Sequence, residues 1–319
     1  MNKSKFTSAV GYYTLFVIFG TLALLPMGAL YLLSDCVYFL LYYVVKYRRK
    51  VAHTNLTACF PEKTEAEIGV IERQFYRNFA DYVFETIKLL HISDLQMQRH
   101  MTFSGVKHID DALSMGRDVV VYFSHTGNWE WTPSIRLHSR YASDSQVVFG
   151  QVYRPLKDKA MDRLMLRIRS RFGSFSIAKA HTLRQLLTYR RENKKFVVGF
   201  MSDQTPKRES TKLILPFFGR PTAVITGTET IARKLDTAAV YWRMTKPQRG
   251  HYHVEVIPMN TEAGDEQPSR SLTEQYFSLL EENIKSQPSL WLWTHKRWKS
   301  SPDRLTSHSS LQPKKEDSK

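Results

Sequence analysis

A histidine and a glutamate five positions apart follow a hydrophobic run in VVVYFSHTGNWEW, residues 119–131. Histidine titrates near neutral pH and can take a proton from a reacting hydroxyl. A carboxylate can hold the second ring nitrogen and stabilise the charged ring. His125 and Glu130 are therefore a candidate general base and its orienting acid.

The spacing of this pair limits how it can work. Five residues of a regular helix turn by about 140° net, so the two side chains would not share a helix face. The pair requires His125 in a loop or at a helix cap and Glu130 in the first turns of the helix. Gly127 and Asn128 favour such a non-helical start. The alternative is a structural histidine, with Glu130 as an acid that suits the helix dipole.

Patterns of buried strands surround the pair. They are DVVVYFS (118–124), SQVVFG (145–150) and KKFVVGFM (194–201), with TAAVYWRM and YHVEVIP further along. Helical patterns cover residues 64–90, 157–171, 227–234 and 271–286. Thr64 and Glu67 form a capping-box signature at the first of these. The alternation predicts an α/β fold with a largely parallel sheet, and ligands of such sheets bind at strand ends like that of His125.

The first 50 residues are typical of a membrane anchor. From Phe6 to Val45 the only charged residue is Asp35, and Phe6–Leu25 has the length that a helix needs to cross a bilayer. One tilted helix followed by an interfacial helix is predicted, with a helical hairpin as the alternative. The basic KYRRK (46–50) indicates a cytoplasmic flank. The predicted division is an anchor with its flank (1–50), a catalytic domain (51–298) and a disordered tail (299–319).

The composition and the missing motifs narrow the chemistry. Lys and Arg number 46 against 30 Asp and Glu, and the resulting net charge of +16 favours anionic partners. The two cysteines offer neither a zinc site nor a disulfide framework. The sequence has no G-x-S-x-G, Walker A loop, G-x-G-x-x-G after a strand or H-E-x-x-H. Catalysis by histidine as a general base, without metal or nucleotide, is what remains.

Several sequence blocks resemble, in order and spacing, the late acyltransferases of bacterial lipid A biosynthesis. FSHTGNWEW is similar to the H-x4-D/E block of glycerolipid-type acyltransferases. The blocks that follow are VYRPLKD (152–158), RIRSRFGSFSI (167–177), MSDQTPKR (201–208), LPFFGRPTAVITGTETIAR (215–233) and LWLWTHKRWK (290–299). The resemblance covers about residues 10–300.

This resemblance implies a membrane-bound enzyme at the cytoplasmic face of a Gram-negative inner membrane. The fold would be glycerolipid-acyltransferase-like, as in the wider lysophospholipid acyltransferase superfamily. The enzyme would move a fatty acyl chain from acyl carrier protein to a hydroxyacyl chain of a lipid A precursor, with no cofactor or metal. His125 would be the general base and Glu130 its orienting carboxylate.

Four further residues are implied to bind substrate. Arg154 and Arg171 match arginines of the family blocks, and guanidinium groups suit phosphate or a developing oxyanion. A surface salt bridge is the alternative for each. Asp203 and Gln204 occupy the family's Asp-containing block, where they would hold an arginine or the acceptor sugar.

Two aromatic blocks have less definite roles. LPFFG (215–219) is either core packing or the wall of an acyl pocket. WTHKRWK (293–299) has a basic, aromatic character suited to a membrane interface, and its His295 is interpreted as structural. The expected partners are acyl carrier protein, a lipid A precursor or related lipid, and anionic lipids of the inner membrane.

Two alternative functions stay open. The same chemistry on an aminolipid or glycolipid acceptor is the first, and a non-enzymatic basic membrane adaptor is the remote one. The absence of an E-G-T-R-like block after the histidine block argues against a lysophosphatidic acid acyltransferase. Because no nucleic-acid-binding signature is found, nucleic acid is not expected as a partner.

Overall fold

A computed structural model describes residues 3–259 and 271–299 of the chain. The helices in these ranges are α1 (Lys3–Leu24), α2 (Met27–Phe39), α3 (Arg49–Cys59), α4 (Glu65–Lys88), α5 (Asp94–His100), α6 (Lys107–Ser114), α7 (Lys159–Arg169), α8 (Thr182–Arg191), α9 (Gly227–Lys234) and α10 (Leu272–Ser286). The strands are β1 (Met101–Ser104), β2 (Val119–Phe123), β3 (Val147–Tyr153), β4 (Phe175–Ala178), β5 (Lys195–Met201), β6 (Ile214–Phe217), β7 (Arg220–Ala223), β8 (Ala238–Gln248) and β9 (His251–Met259). A π-helical turn, Leu40–Val44, continues α2, and a 3-10 helix covers Thr132–His138.

A seven-stranded sheet in the order β1-β9-β8-β2-β5-β3-β4 forms the centre of the fold. The antiparallel pairing in this sheet is that of β8 with β9, and the other five pairings are parallel. Strands β6 and β7 form a separate antiparallel hairpin. The predicted α/β fold, with a mixed and largely parallel sheet flanked by helices, is confirmed.

Both faces of the sheet are covered, because the central strands are buried on both sides. Along β2, Val120 and Tyr122 pack in one core with residues of α3, α8, α9 and α10. Val119, Val121 and Phe123 pack in the other, with residues of α5, α6 and α7. This alternation follows from the two-residue period of a strand, and continuous apolar runs such as VVVYF are typical of it.

Local signals in the sequence set several helix boundaries. The helix α4 begins at the predicted capping box, where Thr64 Oγ1 accepts from the Glu67 N–H at 3.3 Å and Glu67 Oε2 accepts from the Thr64 N–H at 2.8 Å. Its first turn also has Glu65, which suits the positive end of the helix dipole. Helix α9 has the predicted bounds, and α7 is two residues shorter at each end than the predicted 157–171.

The N-terminal apolar helices lie against the rest of the protein. Helix α1 packs on α7 and α4, and α2 packs on α4 after a break at Pro26. Among the described residues, one helical stretch, Met27–Val44, is long and apolar enough to cross a membrane, and Ala9–Leu24 is a shorter apolar stretch. The predicted disordered tail lies outside the described residues, apart from Lys299.

The aromatic blocks LPFFG and WTHKRWK both contribute to the core. Trp293 and Trp298 are each at most 5% exposed, as is Trp291 just before them, so the predicted membrane-interface role of WTHKRWK is wrong. In LPFFG, Phe217 packs against Phe277 and the Trp291 and Trp298 rings, which supports the core-packing interpretation. The basic residues of WTHKRWK had suggested a surface location, whereas both of its tryptophan rings are buried.

Candidate active site

His125 and Asp203 meet because they follow two adjacent parallel strands. In the pairing of β2 with β5, Phe123 lies opposite Met201. His125 and Asp203 each come two residues after that last pair, at the carboxyl edge of the sheet where ligands of such folds bind. His125 Nδ1 lies 2.8 Å from Asp203 Oδ1, and the His125 backbone N–H donates to Asp203 Oδ2 at 3.0 Å.

The Asp203 carboxylate is buried and ionised. Its burial raises the pKa, but the charge of His125 and the hydrogen bonds from the His125 ring, the His125 N–H and the Trp291 indole lower it more, and the pKa falls to about 2. Asp203 therefore only accepts hydrogen bonds near neutral pH. It follows that His125 Nδ1 carries a hydrogen and donates a hydrogen bond to Asp203.

This tautomer leaves His125 Nε2 with a free electron pair when the ring is neutral. Nε2 lies 3.2 Å from Gln204 Nε2, which fits an amide N–H donating to a ring acceptor. The His125 side chain is 16% exposed, so solvent or substrate can reach it. A base held by a buried carboxylate, with its other nitrogen open to a hydroxyl, is the arrangement that general-base catalysis requires.

The C-terminal segment also holds the loop that follows β2, residues 124–131, which we call the histidine loop. The Leu292 N–H donates to His125 O, and the Gly127 N–H donates to Leu290 O, both at 3.0 Å. Between them, the Trp291 indole N–H donates to Asp203 Oδ2 at 2.9 Å. The loop and its carboxylate are thus held by the block LWLWTHKRWK, a role that its composition did not indicate.

Glu130 lies elsewhere, and its predicted contact with His125 is wrong. Its two carboxylate oxygens accept from Arg169 at the end of α7, with Nε–Oε2 at 2.7 Å and Nη2–Oε1 at 2.5 Å. Glu130 also precedes the 3-10 helix Thr132–His138 and is not in the first turns of a helix. Asp203 occupies the place on the His125 ring that was assigned to Glu130.

The Glu130–Arg169 pair is largely buried, with side-chain exposures of 2% and 15%. Burial lowers the pKa of Arg169, but the hydrogen bonds and charge of Glu130 raise it more, so the guanidinium stays charged. Such two-pronged pairs hold both partners in one geometry. The pair joins the histidine loop to α7, and Arg169 was not among the predicted site residues.

The carboxylate of Glu85 on α4 secures the middle of the histidine loop. Glu85 Oε2 accepts from Asn128 Nδ2 at 2.9 Å and from the Tyr252 hydroxyl at 2.8 Å. Glu85 Oε1 accepts from the Tyr31 hydroxyl of α2 at 3.1 Å, and the Glu85 backbone oxygen accepts from the Trp131 indole at 3.0 Å. Burial raises the pKa of this carboxyl, and the charge of Lys246 offsets part of the rise.

We expect Glu85→Ala to destabilise the protein by on the order of 3 kcal/mol, because two buried donors and one partly buried donor lose their acceptor. In Glu85→Gln, an oxygen stays available to Asn128 and Tyr252, so its melting temperature should stay within a few degrees of the wild-type value. Thermal unfolding of the two variants checks this. Equal melting temperatures for Glu85→Ala and the wild type would contradict the role given to the carboxylate.

Gly127 is required by the shape of the loop. Its φ is +58°, and a Cβ there would lie 2.6 Å from Met244 Sδ and 3.1 Å from the Tyr252 ring. We expect Gly127→Ala to push the loop away from its hydrogen bond with Leu290 and to lower transfer at least about tenfold, the cost of an active-site displacement of an ångström or less.

Gly219 provides the matched control for this substitution. Its φ is +65°, but nothing lies within 4 Å of a Cβ placed there. Gly219→Ala therefore has the same left-handed backbone cost, about 1–2 kcal/mol, without the clash. Comparable transfer rates in the two variants would show that the loop conformation at Gly127 is unimportant.

A row of aromatic rings leads from His125 to the end of the N-terminal helices. The Trp129 ring lies 5.1 Å from the His125 ring and 4.1 Å from Tyr82 on α4. Tyr82 is followed by Phe79 at 6.4 Å and Phe79 by Tyr47 at 6.3 Å. All five side chains are at least partly accessible to solvent. The row is an apolar path along the surface toward His125.

The four predicted substrate-binding residues have different surroundings. Gln204 contacts His125, as described above. Arg154 is exposed just after β3, whose neighbour β5 leads to Asp203. Arg171 donates to Ile92 O at 2.9 Å and pairs with Asp94 at 3.3 Å, the salt bridge that was its alternative. Asp203 was expected to hold an arginine or a sugar, and it holds His125 instead.

Two basic residues of the C-terminal block lie near the pair formed by His125 and Asp203. Burial lowers the pKa of His295 to about 4, so its ring is neutral near pH 7. Burial also lowers the pKa of Arg297, to about 10, and that guanidinium stays protonated. Arg297 Nη1 donates to Ala223 O at 2.8 Å, and its charge is close enough to Asp203 to support the carboxylate. The spacing of basic residues in the sequence predicts neither the bond of Arg297 to Ala223 nor its proximity to Asp203.

Comparison with known proteins identifies the family. The model of the bacterial lipid A biosynthesis acyltransferase family matches residues 1–300. A lipid A biosynthesis acyltransferase of Haemophilus influenzae is 25% identical over 78% of this chain and 74% of its own length. The lipid A biosynthesis lauroyltransferase of Escherichia coli is 24% identical over 96% of this chain and 99% of its own. The palmitoleoyltransferase of the same species is 24% identical over 81% of each chain.

The family match spans all the elements that build the site, from α1 to the C-terminal block. A histidine base at a strand end, held by a buried carboxylate, suits the transfer of an acyl group to a hydroxyl. The chain belongs to the bacterial lipid A biosynthesis acyltransferase family.

Proposed function

We propose that the protein transfers a fatty acyl group from acyl carrier protein to a hydroxyl on an acyl chain of a lipid A precursor. The observation that supports this most is the pair of His125 and Asp203 at the carboxyl edge of the sheet, in a chain of this family. We further propose that the protein acts at the cytoplasmic face of the inner membrane. Its net charge of +16 suits both an acidic carrier protein and anionic lipids.

The proposed reaction needs no covalent enzyme intermediate. His125 Nε2 removes the proton of the acceptor hydroxyl while its oxygen attacks the thioester carbonyl carbon. The tetrahedral intermediate then collapses, the carbon–sulfur bond breaks, and the thiolate takes the proton from His125. Asp203 stabilises the imidazolium that exists between the two proton transfers. The products are the ester and the thiol of the carrier.

Gln204 indicates where the acceptor oxygen binds. Its amide nitrogen lies 3.2 Å from His125 Nε2, the distance at which a hydroxyl would donate. In the proposed complex the substrate hydroxyl takes this place, and the Gln204 amide turns to the substrate. Gln204 is thus proposed as a substrate-binding residue, as its position in the sequence suggested.

The aromatic row and Arg154 support a lipid acceptor with anionic groups. A chain that leaves a lipid layer near Tyr47 reaches His125 along the Phe79, Tyr82 and Trp129 rings. Arg154 is the better placed of the two predicted arginines for phosphate, because Arg171 is engaged by Ile92 and Asp94. We propose that Glu130 acts on the reaction through Arg169 and does not contact His125.

The test of this function is made in cells. A bacterial strain that lacks one of its own late acyltransferases receives the gene for the wild-type chain or for His125→Ala, and its lipid A is analysed by mass spectrometry. We expect the wild-type chain to add one acyl mass to lipid A and His125→Ala to add none. Unchanged lipid A with a modified amino- or glycolipid would move the acceptor to that lipid class.

A further inference from the structure

Helices α1 and α2 form an apolar ridge on the outside of the protein. Between Ala9 and Val45 their outward side chains include the exposed Val17, Leu24, Leu32, Phe39, Tyr43 and Val44. The charged residue in that stretch, Asp35, is half-buried and pairs with Arg249 and Arg77. An apolar face of this size on a membrane enzyme needs a hydrophobic partner.

The inner face of α2 is joined to α4 by polar contacts along most of its length. The Tyr31 hydroxyl bonds Glu85, and Ser34 Oγ bonds Asp81 Oδ1 at 2.7 Å. The two helices run antiparallel, since residues later in α2 meet residues earlier in α4. Buried Asp81 also pairs with Arg249 at 2.7 Å and with Lys246 at 3.3 Å. These contacts hold α2 flat against the protein.

Helix α1 is held in the same way. At its end, the Lys88 ammonium donates to Ala23 O at 2.9 Å and to Leu25 O at 2.8 Å, which satisfies carbonyl groups that a helix terminus leaves free. Nearer its start, the guanidinium of Arg163 on α7 lies 4.1 Å from the Tyr12 ring centroid, and that of Arg167 lies 4.7 Å from the Phe16 ring centroid. The middle and the C-terminal end of α1 therefore contact the protein.

These contacts argue against a helix that crosses the bilayer. A crossing α2 would take the α4 residues beside it into the hydrocarbon, including Arg77 and the Asp81 cluster. Charged side chains at that depth are expensive. With α2 lying flat, the same residues stay at the level of the headgroups. Exposed basic side chains border the ridge there, at Lys46, Arg48, Arg73, Arg163 and Arg167.

We propose that α1 and α2 lie in the plane of one leaflet of an anionic phospholipid membrane and that neither helix crosses it. The ridge enters the boundary between headgroups and acyl chains, as amphipathic surface helices do, and the bordering cations contact lipid phosphates. The inference rests on the membrane location in the proposed function. It places the Tyr47 end of the aromatic row at the lipid surface, so that an acceptor can reach His125 without leaving the leaflet.

Depth measurements by electron paramagnetic resonance test this orientation in the full chain. In a Cys36→Ser, Cys59→Ala background, a nitroxide is attached to a single cysteine at Leu32, Phe39 or Val17, and the protein is bound to phosphatidylethanolamine–phosphatidylglycerol vesicles. In-plane helices give all three sites the same shallow depth. A crossing α2 separates Leu32 from Phe39 by about 10 Å, from the rise of seven helical residues, and that result would overturn the proposal.

Labelling from outside the membrane, before and after detergent, tests the helix topology independently. Single cysteines at Ser4 and Gly28, in the same background, are treated with a membrane-impermeant maleimide in intact spheroplasts and after detergent. We expect labelling only after detergent. A single crossing by α1 or by α2 exposes Ser4 to the outside, and a hairpin exposes Gly28, so labelling of either in spheroplasts would overturn the in-plane arrangement.

Flotation with vesicles separates this inference from the proposed function. Protein that fails to float with anionic vesicles would overturn both the membrane location and the in-plane helices. Protein that floats but shows unequal depths would overturn the helix orientation alone. Because neither readout uses a donor or an acceptor, a failed acyl-transfer assay leaves the topology result standing.

Discussion

Replacing His125 with alanine is expected to lower the rate of acyl transfer by about two to four orders of magnitude, the range for loss of a general base. The variant lacks the Nε2 atom that takes the hydroxyl proton, and no other change to the site is needed for the loss. Steady-state transfer of a fatty acyl group to the lipid acceptor measures the effect. A melting temperature close to that of the wild type would show that the variant folds and that the loss lies in the reaction.

Asp203→Asn is the matched test of what holds the histidine. An amide no longer stabilises the imidazolium, and its NH2 group can face Nδ1 and reverse the tautomer of the ring. The corresponding change in serine hydrolases costs about 10⁴ in kcat, and we expect a loss of at least about 100-fold here. Transfer above about a tenth of the wild-type rate in either variant would contradict the assignment.

Replacing Glu130 with alanine is expected to lower both stability and activity. The Arg169 guanidinium would be left largely buried without its partner, which costs about 3–5 kcal/mol in comparable pairs. Because the Glu130–Arg169 pair joins the histidine loop to α7, its loss also frees that loop to move. Thermal unfolding and the transfer rate, measured on the same preparation, report the two effects.

A double variant separates the structural role of this pair from a role in the reaction. Glu130→Met with Arg169→Met removes both charges and keeps apolar volume, so stability should return toward the wild-type value. We expect transfer to stay low, because we propose that Glu130 acts on the reaction through Arg169. Recovery of transfer together with stability would show that the pair only supports the fold.

Nitrogen chemical shifts of the His125 ring show which carboxylate holds it. We expect Asp203→Asn to change the shifts of both ring nitrogens, because it alters the group bonded to Nδ1. Glu130→Gln should leave them near their wild-type values, because Glu130 bonds Arg169. The reverse pattern would restore Glu130 as the orienting acid.

The main strands and the position of His125 could be predicted because their signals are local. Runs such as VVVYF and FVVGF indicate buried strands by themselves, and Thr64 with Glu67 indicates a helix start. A polar residue directly after a buried strand lies at the edge of the sheet whatever its neighbours are. These features depend on a few adjacent residues, and tertiary structure did not change them.

The partner of His125 could not be predicted because it depends on strand order. Glu130 is five residues from His125 in the sequence, and Asp203 is 78 residues away. Only the pairing of β2 with β5 brings Asp203 to the ring. A useful signal was present, since HTGN and DQTP both begin two residues after a strand that ends at the same edge. It becomes informative once the two strands are known to be neighbours.

The choice among nearby arginines depended on where a helix ends. RIRSR contains Arg167, Arg169 and Arg171 at alternate positions. Arg167 faces α1, Arg169 faces Glu130, and Arg171 lies beyond the end of α7 and reaches Asp94. The predicted helix continued to residue 171, so the prediction did not show that the three arginines point to different neighbours. Sequence similarity drew attention to Arg171 of this block and not to Arg169, the residue that bonds Glu130.

The measurement that tests the proposed function most directly uses purified protein in lipid vesicles. The protein is incubated with acyl carrier protein thioesters and a lipid A precursor, and the mass of the lipid product is read beside that from His125→Ala. We expect the wild-type protein to add one acyl mass to the precursor, and the variant to do so at least about 100-fold more slowly. Equal product formation by the variant would contradict the role of His125, and no product with any donor would contradict transfer to lipid A.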